Sequence, residues 1–285
     1  MYAFILKIKN TNGELFELTN NSEKYNIIRV EGLTPPPTAV NTATAGTLDG
    51  SFFNSARVEQ RNLVITLVIN GDIEANRQAL YKIFPRKTKC TVYFKNQNRD
   101  VKIDGYVEML EGDLFSMREQ IQISIICPRP YFEAINALYT ELSKIIALFE
   151  FPFSIVTPIP FSEILEYPIC TINNTGDAEC GTKIDIDFFG SASGLKIANT
   201  TNQTYFELDY TFQDNDHVVI DTNSGSMGVY LERAGVRSNL LNYVAKNSTW
   251  LKIIPGENIF TFTLNTGDDE DVKIHFKTSL LYGGV

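Results

Sequence analysis

Gln120-Ile121-Gln122-Ile123-Ser124-Ile125-Ile126-Cys127-Pro128-Arg129-Pro130-Tyr131-Phe132 decides how this chain is divided. Ile121, Ile123 and Ile125 alternate with Gln120, Gln122 and Ser124, the period of a strand with one apolar and one polar face. Pro128 and Pro130 stop the pairing, because proline has no amide to donate and biases its predecessor towards extended geometry. The strand therefore closes one module, and the residues after it begin another.

The 285 residues suffice for two domains with proper cores, and the hydrophobic content is that of a globular protein. No apolar run reaches membrane-spanning length, and no basic and apolar leader opens the chain, so a soluble protein made in the cytoplasm is expected. Cys90, Cys127, Cys170 and Cys180 lack CxxC spacing and read as buried, reduced thiols. Residues 1–150 hold 17 Lys and Arg against 17 Asp and Glu, whereas residues 151–285 hold 8 against 17. The whole net charge of −9 thus lies in the second half, which argues against nucleic-acid binding there and for two modules with different surroundings.

Outward towards the N-terminus, the pattern is strands and turns. Tyr2–Lys9 and Glu14–Leu18 form a hairpin across Asn10-Thr11-Asn12-Gly13, and Tyr25–Val30 is a further strand. From Thr34 to Gly50, including Pro35-Pro36-Pro37, no apolar periodicity exists. Two readings stay open for it: a surface loop, or an arm ordered against a partner. Phe52–Glu59 and Asn62–Asn70 are strands. Asp72 and Glu74 open a helix on the stripe Asn76, Leu80, Phe84, which Pro85 ends. Cys90–Lys95 and Val101–Glu111 form a second hairpin. The sum is an antiparallel sheet or small barrel with one helix, an α+β domain.

Towards the C-terminus, Phe132, Ile135, Leu138, Tyr139, Leu142, Ile145, Ile146 and Phe149 recur at helical spacing and predict an amphipathic helix. Pro152, Pro158, Pro160 and Pro168 then mark a stiff linker. The domains read as 1–132, a helix and Pro-rich linker over 133–160, and 161–285. From Ile169 about eight short strands predict a β-sandwich or jelly roll: Lys183–Phe188, Leu195–Ala198, Tyr205–Phe212, His217–Asp221, Gly228–Glu232, Trp250–Ile254, Asn258–Leu264 and Val272–Thr278.

Chemistry is hard to find. His217 and His275 stand beside no nucleophile motif. Asp268-Asp269-Glu270-Asp271 and Asp214-Asn215-Asp216 read as solvated hairpin tips rather than calcium loops. Asp185 and Asp187 face solvent together and flank no cleft. Trp250 reads as core rather than a sugar platform. No catalytic, cofactor-binding or metal-ligating residue is assigned, and no cofactor is expected; the reading is a non-enzymatic binding or assembly protein.

The order of motifs carries a resemblance. Gly71-Asp72-x-Glu74-x-x-Arg77 opens the helix, and Cys127-Pro128-x-Pro130-Tyr131-Phe132 closes the first module. Ile172-Asn173-Asn174-x-Gly176-Asp177-Ala178-Glu179, Ile220-Asp221-Thr222, Trp250-Leu251-x-x-x-Pro255-Gly256-x-Asn258 and Tyr282-Gly283-Gly284-Val285 follow. Together they resemble the distal tail proteins of long-tailed, siphovirus-type phages, with Arg129 standing where that family usually has aspartate. The resemblance implies a virion structural protein at the tail tip, assembled in the host cytoplasm. Its N-terminal domain forms a hexameric ring on the tail tube, and galectin-like C-terminal domains project outwards. The implied partners are the tail tube protein, the tail-tip or tail-associated lysin hub protein and receptor-binding proteins, with neither direct nucleic-acid recognition nor a membrane span. The alternative is a carbohydrate- or receptor-binding tail protein that contacts the host surface.

Overall fold

In the computed structural model, which describes residues 4–19, 23–44, 46, 49–113, 119–142 and 168–285, Gln120–Cys127 is a strand with Ile121, Ile123 and Ile125 fully buried. The chain divides into two units, Met1–Asn136 with Leu281–Val285, and Ala137–Leu280.

The first unit contains β1 (Ile5–Lys9), β2 (Leu15–Glu17), β3 (Tyr25–Glu31), β4 (Thr38–Ala43), β5 (Phe52–Val58) and β6 (Arg61–Ile69). After these come α1 (Ile73–Ile83), β7 (Lys89–Lys95), β8 (Asp100–Gly112), β9 (Gln120–Cys127) and β10 (Phe132–Ala134), and the chain returns at β21 (Leu281–Tyr282). The antiparallel order is β2-β1-β7-β8-β9-β6-β3, with β10 pairing β8 and β21 pairing β10. β9 lies between β8 and β6, so its three isoleucines meet Leu63, Ile65 and Leu67 of β6 in one core. Leu18 after β2 and Tyr25 of β3 belong to that core, together with Leu80 and Ile83 of α1. The helix thereby covers the gap between the two edge strands, where a cleft of 390 Å³ is bounded by Phe16, Tyr25, Ala79 and Ile83. Asp72 caps α1 by accepting from the Ala75 amide at 3.1 Å, and the Tyr25 hydroxyl donates to the Asn76 carbonyl at 3.0 Å.

Two sequence expectations change here. The stretch from Thr34 to Gly50 is not a loop throughout: Thr38–Ala43 is β4, paired antiparallel with β5 from Thr38↔Val58 to Ala43↔Phe52. The helix expected over 132–149 is not formed in its described part. Phe132 and Ala134 alternate inwards as β10, and Leu138–Leu142 is a strand; residues 143–167, with the rest of that helix and most of the linker, lie outside the described residues. Long-range pairing prevails over local helical spacing, since Ala134 sits opposite Val101 of β8.

The second unit is built from β11 (Leu138–Leu142), β12 (Ile169–Asn174), β13 (Lys183–Phe188), β14 (Ala192–Asn199), β15 (Thr204–Phe212) and β16 (His217–Asp221). β17 (Gly228–Arg233), β18 (Val236–Asn239), β19 (Gly256–Thr266) and β20 (Val272–Thr278) complete it. One sheet runs β11-β20-β13-β16-β17-β18, and the other runs β12-β19-β14-β15. Their inner faces meet through aromatic pairs: Phe188 stacks on Phe212 with ring centroids 4.2 Å apart, and Phe260 packs against Phe276 at 4.8 Å. This is the β-sandwich expected from the turn spacing.

Ser193-Gly194 forms a bulge inside β14. Gly194 has φ +63, and a Cβ there would lie 2.0 Å from the Asn265 side-chain nitrogen. Trp250–Ile254 is not a strand; Ile253 makes a single bridge to Cys180. β18 was not expected, although the positive-φ pair Ala234-Gly235 before it is the signal of a tight hairpin. The last five residues belong with the first unit rather than with the sandwich.

Candidate assembly interface

The most exposed apolar surface of the first unit is the ribbon β4–β5. Among the described residues it pairs with no third strand. Every residue of β5 is exposed, and β4 is exposed but for half-buried Ala39. Val40 is 58% exposed, Phe52 59% and Phe53 67%. Successive strand side chains point to opposite faces, so Phe52 and Phe53 place an aromatic ring on each side of the ribbon. Between Thr38 and Val58 only Asp49 and Arg57 are charged. A ribbon that exposes an aromatic ring on each face and carries few charges has the composition of a contact surface.

The ribbon's two feet meet at Arg61, the first residue of β6, which is 1% exposed. Its Nη1 donates to the Gly32 carbonyl and, at 2.7 Å, to the Thr34 carbonyl. Nε donates to the Pro130 carbonyl at 2.7 Å, and Nη2 to the Gly283 carbonyl at 2.5 Å. The guanidinium also lies 4.4 Å from the Phe132 ring centroid. Burial draws it down from its ordinary value, and four carbonyl dipoles keep the charge solvated inside the protein. Beside it, Arg99 donates to the Gly284 carbonyl and stacks 4.2 Å over Tyr282, while the Val285 amide donates to Leu33 at 3.1 Å. Gly32 has φ +82, and a Cβ there would fall 2.1 Å from the Asn62 carbonyl oxygen, so only glycine fits this approach. Neither the ribbon's first strand nor Arg61 was singled out from sequence; carbonyl acceptors leave no sequence signature.

In the second unit the polar residues considered as chemistry take structural positions. His217 Nδ1 lies 2.7 Å from Asp187 and Nε2 3.6 Å from Asp185, whose carboxylate also pairs with Lys183 at 2.8 Å. These contacts give both carboxylates hydrogen-bonding or ionic partners on one sheet face. Asp216, expected at a solvated tip, is buried and takes a bidentate pair of 2.6 Å bonds from Arg233. Asp268 accepts from the Glu270 amide at 3.0 Å and caps a short turn over Asp269–Asp271. Trp250 leans on buried Phe206 at 5.1 Å. All four cysteines are free and buried. Among the described residues no His, Cys, Asp or Glu group is arranged to hold a metal ion, and no helix is long and apolar enough to cross a membrane.

Residues 175–279 match the family model described as siphovirus-type tail component, C-terminal domain. A comparison with curated proteins gives no match. Among solved structures, the chain is similar to the Dit protein of phage SPP1, described as a paradigm of hub adsorption apparatus in Gram-positive-infecting phages. The TM-score is 0.70 at 13% identity, covering 97% of this chain and 99% of that one. It is also similar to chains of the phage P2 baseplate in its activated conformation: with Ca at TM-score 0.51, 15% identity and 98% coverage of both chains, and with Sr at 0.51, 13% identity and coverage of 96% and 97%. The chain thus has, over nearly its whole length, the mainly β fold of a phage hub protein, and its second unit carries the match to the siphovirus-type tail component family.

Proposed function

We propose that this chain is a distal tail protein, the structural hub of a siphovirus-type baseplate. Six copies of the first unit form a ring at the end of the tail tube. The ring joins the tube to the tail-tip protein and to the receptor-binding proteins, and the sandwich units stand outside it as separately folding modules. The observation that carries this reading is the family match over 175–279 combined with likeness to the SPP1 hub protein along 97% of the chain. Physical chemistry supports the division of labour. A closed ring needs each copy to offer two different surfaces to its neighbours, and the ribbon, with Val40, Phe52 and Phe53 exposed, can supply one of them. Residues 1–150 carry no net charge, so six copies brought together accumulate little repulsion, whereas the second half repels itself. The role is structural rather than enzymatic, and the site of action is the virion tail tip after assembly in the host cytoplasm. Electron microscopy of the purified full-length chain tests this: six-fold rings with peripheral density support it, and a species that never closes into a ring, also with the tail-tip protein present, rejects it.

A further inference from the structure

We propose that Arg61 is the positioning residue of the ribbon. With Gly283 and Gly284 it fixes the direction in which β4 and β5 leave the first unit, so the ribbon meets its partner already formed. The functional weight of this clamp rests on the assembly reading above; its structural half rests on the ribbon's feet alone.

A two-stranded ribbon by itself is marginal in water. Among the described residues this one has no third strand, and its residues do not enter the core, so neither pairing with the main sheet nor burial holds it. What remains is its base. On one side, Gly32 and Thr34 both accept from Arg61, and Pro35-Pro36-Pro37 then runs straight into β4. Proline fixes φ, so three in succession act as a stiff spacer that transmits the orientation at Thr34 to Thr38. On the other side, Arg61 stands three positions beyond Val58, the last residue of β5, and the Glu59 amide donates to Pro37 at 2.9 Å. Both feet therefore converge on one guanidinium.

That guanidinium is held in turn. Pro130 and Gly283 supply carbonyls from two distant segments, and Arg99 and the Val285 amide tie residues 282–285 to the same place. Gly284 lets this tail approach closely, since a Cβ there would lie 3.1 Å from both the Leu33 carbonyl and the Pro35 ring. Lysine cannot replace arginine here: it has three donors on a flexible stem, against a rigid fork that serves four carbonyls at once. A ribbon formed beforehand loses less conformational freedom on contact, which strengthens association without adding a contact.

Hydrogen exchange on the full-length chain, diluted until light scattering gives a single copy, tests the clamp. Arg61→Lys and Arg99→Ala are compared with the unaltered chain; Arg99 lies at the margin of the cage, so its replacement is the safer variant for folding. The expected result is that amides of 38–43 and 52–58 exchange about tenfold faster or more in both variants, while those of β6 and β9 do not change, and that the half-assembly concentration rises with them. Ribbon exchange in Arg99→Ala equal to that of the unaltered chain overturns the proposal. Ribbon and β9 amides accelerating together also overturns it, since Arg61 then only supports the fold. Phe52→Ser with Phe53→Ser separates the two readings: if assembly survives that change, the ribbon is not the assembly arm, and the exchange data still decide the clamp.

Discussion

Asp216 accepts two hydrogen bonds of 2.6 Å from Arg233, one at each carboxylate oxygen, and a third of 2.8 Å from the Gln213 amide. Burial by itself raises the Asp216 carboxyl, but the Arg233 hydrogen bonds, the Gln213 amide and the guanidinium charge outweigh it and hold the group below the ordinary carboxylate range. Its folded-state value is therefore lower than its unfolded one. The pair stabilises the second unit above about pH 4, where the unfolded carboxyl is ionised, and this contribution is lost as pH falls through the depressed folded value. Asp216→Asn should destabilise the unit by about 2 kcal/mol at neutral pH and flatten its acid limb. Thermal melts from pH 3 to 7 measure this; an unchanged acid limb in the variant counts against it.

The thiols should be inert. Burial pushes Cys90, Cys127 and Cys170 up to about 12 and Cys180 to about 11, so almost no thiolate exists at pH 8. A colorimetric disulfide reagent at pH 8 should label none of the four in the folded chain and all four in denaturant. Rapid labelling of one in the native chain means that its strand is open to solvent.

Gly32→Ala should be among the more damaging single changes in the first unit. Alanine would have to adopt φ +82 and place its Cβ 2.1 Å from a backbone oxygen that cannot swing away. A loss of more than about 2 kcal/mol is expected, read as a lower denaturant midpoint. A midpoint within experimental error of the unaltered chain shows that Gly32 can relax without cost.

Replacing Phe52 and Phe53 together by serine should leave stability almost unchanged, because both rings are exposed and removing them opens no cavity. A shift within about 0.5 kcal/mol is expected on unfolding, while assembly should require a higher protein concentration. A large fall in melting temperature places the rings in a core instead.

Most elements legible in the sequence have one wet and one dry face, although β5, exposed throughout, was also read as a strand. β9, β13 and α1 could be read because burial imposes a period of two or of about 3.6 on residue type. β4 could not, because the ribbon is exposed on both faces and nothing selects an alternation along Thr-Ala-Val-Asn-Thr-Ala. Phe132 to Leu142 misled for the opposite reason: its spacing fits a helix, but its pairing partners, Val101 and Lys102 of β8 and Ile274 to Thr278 of β20, are far away in sequence. The interface was half legible. The long unpatterned stretch marked an arm or a loop, but the clamp on Arg61 is made by backbone carbonyls, which any residue supplies. Asp216 was misread because its partner Arg233 lies on another strand, so only the folded sheet brings the two together.

Native mass spectrometry of the full-length chain tests the central claim most directly, with and without residues 36–45. The intact chain should give a closed species of six copies, and the deletion, which removes β4, should shift it towards single copies that remain folded. A chain that stays monomeric at high concentration and low salt, and also with the proposed tail-tip partner added, contradicts the ring; a deletion variant that still closes at six copies contradicts the ribbon's part in it.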